Sequence, residues 1–148
     1  MSFSKKRFAV LGMILAILLQ MLMPMAVAAD AAVYASDYIV STDYQIYQNS
    51  SGTLSIYFEI WAQNWMKQIG VSKIVIERKD GSNWVEEKTY YSSSTSGLLT
   101  ADAWVYDNTI TYSGVKSGCT YRAKITFYVS TGSDSDSKLT TTTSVTIK

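Results

Sequence analysis

Residues 119–129 read Cys119-Thr120-Tyr121-Arg122-Ala123-Lys124-Ile125-Thr126-Phe127-Tyr128-Val129. Every second side chain is of core type: Cys119, Tyr121, Ala123, Ile125, Phe127 and Val129. The residues between them are mostly polar. A period of two places alternate side chains on opposite faces of an extended chain, so this stretch predicts a half-buried antiparallel strand. The alternation returns at Leu54, Ile56, Phe58 and Ile60, with Ser55, Tyr57 and Glu59 between. Outward from these two runs, strands are predicted near residues 38–48, 53–62, 71–79, 83–91, 103–112, 119–130 and 138–147.

The breaks between strands carry turn chemistry. Asn49-Ser50-Ser51-Gly52 separates the first pair, and Lys79-Asp80-Gly81-Ser82-Asn83 reads as a tight hairpin. Asp-Gly tolerates the positive φ that such a turn needs. Ser92 to Gly97 is a polar loop, Ser113-Gly114 and Ser117-Gly118 bracket another, and Thr131 to Ser137 is an acidic connection. Short strands at this spacing predict an all-β fold, a seven-stranded antiparallel β-sandwich over residues 38–148.

The N-terminus has a different character. Lys5, Lys6 and Arg7 precede an uncharged run from Phe8 to Ala29, densest in apolar residues up to Leu19. Pro24 breaks the run and Ala26-Val27-Ala28-Ala29 follows. A basic flank, an apolar middle and a small-residue end are the parts of a cleavable, helical export signal. Residues 1–28 are therefore expected to be a signal peptide, cut after Ala28 or after Ala29, with Ala26 and Ala28 meeting the small-x-small rule. Residues 29–37 are a short linker. The run is long enough to span a bilayer, but Pro24 and the alanine end favour cleavage. Membrane contact is thus expected only during export, and the protein is expected to be extracellular.

The working chain differs from the whole. Removing 28 of 148 residues leaves 120, one domain by length. Three of the 13 basic residues go and none of the 12 acids, so 10 against 12 leaves a net charge of −2. Nothing in that balance suggests a nucleic-acid surface. A lone cysteine, Cys119, excludes an internal disulfide. Its place on the apolar face of its strand predicts burial, with a Cys119-linked dimer as the alternative to a monomer.

Several chemistries are absent. The chain has no histidine, which removes the usual general base and the commonest metal ligand. One cysteine cannot build a zinc site, and there is no phosphate-cradling glycine motif. No cofactor is expected, and the protein is expected not to be an enzyme. A carboxylate-based hydrolase is the remote alternative, but Glu86 and Glu87 are neighbours and alternate faces in a strand. Asp134-Ser135-Asp136 offers oxygen ligands at alternate positions, yet two carboxylates are few for calcium.

The aromatic residues carry the positive signal. Trp61 falls on the outward register of its strand, and Trp65 with Met66 is expected in the loop that follows. These three are the candidate ligand-binding residues, because an exposed Trp gives large contact area at low entropy cost. The simpler alternative is that Trp65 and Met66 fold over the open end of the core. Trp84 and Trp104 begin strands and read as packing residues.

Two segments resemble a fibronectin type III domain. Lys73-Ile74-Val75-Ile76-Glu77-Arg78-Lys79-Asp80-Gly81-Ser82-Asn83-Trp84 looks like the third strand, its hairpin and the tryptophan after it. Val115-Lys116-Ser117-Gly118-Cys119-Thr120-Tyr121-Arg122-Ala123-Lys124-Ile125 looks like the turn and sixth strand. The resemblance implies a fibronectin type III or immunoglobulin-like sandwich in which Tyr121 is the tyrosine corner. The exported chain lacks the prolines common in such domains, and Ile56 or Phe58 stands where an early tryptophan is expected.

Ala35-Ser36-Asp37-Tyr38-Ile39, Met66 with Ile69-Gly70, Ile74 to Glu77 and Tyr121 to Tyr128 also resemble short secreted bacterial proteins with a domain of unknown function. That likeness implies a Gram-positive secreted origin and transfers no functional residue. The expected function is a secreted, non-catalytic binding or interaction module for an extracellular protein or a glycan. The alternative is a cell-surface protein that self-associates through its edge strands.

Overall fold

The computed structural model describes residues 37–50 and 52–148. The expected signal peptide, its cleavage residues Ala26, Ala28 and Ala29, and most of the linker lie outside the described residues. Within them the chain is all β: β1 (Ile39–Gln48), β2 (Leu54–Met66), β3 (Gln68–Asp80), β4 (Asn83–Tyr91), β5 (Leu99–Thr100), β6 (Ala103–Tyr112), β7 (Thr120–Ser130), β8 (Ser135–Thr141) and β9 (Val145–Thr146). All pairings are antiparallel, in two sheets. One has the order β1-β2-β6; the other runs β4-β3-β7-β8, with β5 added to β3 and β9 to β7.

The period of two explains why these strands close on a common core. Leu54, Ile56, Phe58 and Ile60 of β2 and Tyr121, Ala123, Ile125, Phe127 and Val129 of β7 are all fully buried. They belong to one hydrophobic cluster that draws on both sheets. The Tyr44 ring of β1 meets Phe127 of β7 at 6.1 Å between centroids, across the two layers. Burying each of the Leu, Ile, Phe and Val side chains contributes about 1.5–3 kcal/mol. The result is a β-sandwich-like, all-β fold.

The hairpin at residues 79–83 forms as its sequence predicts. Asp80 pairs with Asn83, and Gly81 takes φ +58° in the two-residue turn between them.

Nine strand elements are present among the described residues where seven were expected. The predicted seventh strand divides into β8 and β9 because Thr142 turns inward. Its N–H donates to the Ala123 carbonyl at 2.9 Å, and its hydroxyl accepts from the Ala123 N–H at 3.0 Å. The polar loop after β4 also supplies a strand. It crosses from one sheet to the other, drops Leu98 fully into the core and pairs Leu99 with Gly70 through β5.

The expected loop after residue 62 is not there. β2 runs on to Met66 and β3 begins at Gln68, so the turn is confined to Lys67. Cys119 is also corrected: it is partly exposed, in the turn before β7. Its N–H donates to the Lys116 carbonyl at 3.2 Å, and that turn holds it at the rim of the core.

Candidate functional site

Residues paired across neighbouring strands share a face. On the outer face of β1-β2-β6, Ser41, Trp61 and Val105 stand in one cross-strand row. Asp43, Glu59 and Asp107 stand in the next, and Gln45, Tyr57 and Thr109 in the one after. Trp61, Glu59 and Tyr57 therefore follow one another along the middle strand.

Glu59 organises this stripe. One carboxylate oxygen accepts from the Trp61 indole N–H, and the other accepts from the Tyr57 hydroxyl at 2.8 Å. The hydrogen bond to Glu59 is the main reason that the Tyr57 phenol is pushed up from 10.0 to about 12, with burial and the charges of Glu59, Asp107 and Asp43 adding to it. Each ring is fixed by its polar tip, and its apolar surface is left for contact.

Beyond Trp61 the pairing with β6 slips. Trp61 pairs with Val105 and Met66 with Ala103, so residues 62–65 face Trp104 alone. A bulge of this kind bends the strand and re-aims its side chains. Trp104 comes to 5.2 Å from Trp61, ring centroid to centroid, at an interplanar angle of 74°. Such an edge-to-face pair contributes about 0.5–1.5 kcal/mol beyond its buried area. Trp61 is 37% exposed, Trp104 44% and Trp65 71%. Val40 and Tyr47 of β1 are exposed as well, so most of the large exposed apolar side chains lie on strands of this sheet.

The structure separates the three residues that the sequence grouped. Trp61 stands on the outer face and Trp65 is exposed at the end of β2. Met66 is 1% exposed and belongs to the core, which removes it from the candidate surface. Trp104, read from sequence as packing, joins Trp61 instead. Tyr121 is fully buried.

The opposite outer face is built differently. Lys73, Val75 and Glu77 of β3 pair with Thr126, Lys124 and Arg122 of β7. Glu77 is 7% exposed and accepts from Arg122 at 2.6 Å and from Lys124 at 2.8 Å. The Arg122 guanidinium lies 4.2 Å from the centre of the Trp84 ring. Lys73, Val75, Lys124 and Leu139 line a groove of about 280 Å³ above Glu77.

Glu86 accepts from the Thr89 hydroxyl at 2.6 Å, and Glu87 is paired with Arg78. Asp134 accepts from the Tyr38 hydroxyl at 3.0 Å. Among the described residues no group of three or more Asp, Glu, Cys or His side chains is arranged to hold a metal ion. No family model, curated protein or solved structure matches this chain.

Proposed function

We propose that this is a secreted, non-catalytic binding module. Its contact surface is the aromatic outer face of β1-β2-β6, and its ligand is an extracellular protein or a glycan. The observation that carries the reading is the Trp61–Trp104 pair, fixed on a sheet face and left open to solvent. Exposed aromatic side chains on a rigid element supply contact area without a large ordering cost. Export rests on the basic, apolar and alanine-rich segments of residues 5–29.

The sandwich is read as fibronectin type III-like. In an immunoglobulin constant domain the fourth strand joins the sheet of the first two. Here β4 lies beside β3 in the other sheet, which favours the fibronectin-like variant. The Tyr121 hydroxyl, bonded to the backbone upstream, supports its reading as a tyrosine corner.

Tryptophan fluorescence tests the function. A panel of extracellular glycans and surface proteins is titrated into the wild type and into the W61A/W104A double variant. A saturable shift that the double variant loses is the expected result. A ligand whose affinity is the same in both proteins would remove the aromatic face from the proposal.

A further inference from the structure

We propose that the partner of the aromatic face is a second copy of this chain, which seats its opposite, basic face on it. This rests on the reading of the aromatic face as a binding surface and names its occupant.

The two outer faces differ in charge. The outward positions of β1, β2 and β6 carry Asp43, Glu59 and Asp107 and no Lys or Arg. Their charge is −3. The outward positions of β3, β4 and β7 carry Lys73, Lys79, Arg122 and Lys124 against Glu77 and Glu86. Four positive and two negative charges leave +2. An aromatic face laid on a second aromatic face would oppose two acid rows. Laid on the basic face, it opposes charges of the other sign.

Shape follows the same division. One face carries the exposed rings of Trp61 and Trp104. The other holds the groove of about 280 Å³, with Val75 and Leu139 as apolar walls, Lys73 and Lys124 as its cations, and Glu77 and Glu86 as its acids. Small-molecule sites run from about 300 to 1,000 Å³, and this groove, at the bottom of that range, has room for a single large side chain. An indole seated beside Lys73 gains cation–π attraction as well as burial.

The contact joins two different surfaces of the same molecule, so it is heterologous. Each end of a pair keeps one unused face, and growth continues into an open chain. Three strands about 4.8 Å apart and about 33 Å long give a face of about 480 Å². That is below the roughly 800 Å² per partner of a standard interface. The association is therefore weak, reversible and sensitive to salt.

Sedimentation of the purified protein, from micromolar to millimolar concentration and at low and high salt, tests this. The expected average mass rises with concentration without levelling at a dimer, and falls towards the monomer in high salt. A mixing experiment then separates the faces. W61A/W104A disables one face, and K73E/L139D disables the other without touching the Glu77 ion pairs. Each variant alone should be monomeric, and the mixture should stop at a heterodimer.

A strict monomer at every concentration, a mass that levels at a dimer, or a mixture that stays monomeric would overturn the proposal. Circular dichroism checks that each variant is folded; if one is not, the wild-type concentration series decides by itself. A strict monomer that still shows the glycan or protein titration above would sink the second copy as partner and leave the binding surface standing.

Discussion

The Lys116 amide N–H donates to the Tyr121 hydroxyl at 2.9 Å, tying the turn before β7 to the strand it introduces. The Tyr121 ring is fully buried, so the phenol joins core packing to loop geometry in one side chain. Y121F keeps the ring and deletes the bond, leaving the Lys116 N–H without its partner. The expected cost is about 1–2 kcal/mol, read as a lower urea midpoint at unchanged slope. An unchanged midpoint would show that the bond does not hold the turn.

Acid stability should depend on Glu77. Burial pushes its carboxyl up, but hydrogen bonds from Lys124 and Arg122 outweigh this and hold it below the ordinary 4.5. A carboxyl with a depressed folded value stabilises the fold above its unfolded value, and that contribution is lost as pH falls from 4.5 through the folded value. E77Q should cost about 1–2 kcal/mol at neutral pH, a figure reduced because both cations are partly exposed. It should also flatten the acid limb of the stability profile. Urea unfolding of both proteins from neutral pH downward measures this; parallel acid limbs would count against it.

Tyr57 should be among the last tyrosines to ionise. Its hydrogen bond to Glu59 is the first cause of a value pushed up to about 12. A raised folded value gives stability that is complete below the ordinary 10.0 and is lost as pH rises through about 12. E59Q should bring the Tyr57 titration back towards 10.0 and loosen Trp61 at the same time. Ultraviolet difference titration follows the first effect and fluorescence anisotropy the second.

Gly70 should tolerate no side chain. Its φ is +143°, and a Cβ there would stand 2.2 Å from the Leu98 carbonyl oxygen. G70A has to displace the segment that carries Leu98 into the core. The expected cost exceeds about 3 kcal/mol. G118A meets open space at φ +80°, so it pays only the left-handed backbone cost of about 1–2 kcal/mol. Thermal melts of the two variants should therefore differ widely; similar midpoints would refute the close contact.

What could be read in advance was what a single strand contains. The alternation in residues 54–60 and 119–129 carried the all-β class, and Asp80-Gly81 carried its hairpin. The partnership of Trp61 with Trp104 was not legible, because it depends on the register between β2 and β6 and on a bulge in that register. The row of Asp43, Glu59 and Asp107 is hidden in the same way, since the three acids are far apart in the chain. Gly70 stands inside β3, although glycine usually punctuates a strand. Its role is to let the Leu98 carbonyl come close, and β3 runs through it.

The hydrogen bonds at Gln48 have a mechanical consequence. The Lys148 N–H donates to the Gln48 side-chain oxygen at 2.9 Å, and the Gln48 side-chain amide donates to the Lys148 carbonyl at 3.4 Å. Residue 148 thus lies at the pole where β1 ends, whereas Tyr38 precedes β1 at the other pole. A pull applied between these two points runs along the strands. It loads the β1–β2 hydrogen bonds together, in shear, instead of peeling them open one after another. The domain should yield abruptly and at high force when stretched between Tyr38 and Lys148, and more gently when held across the sheet.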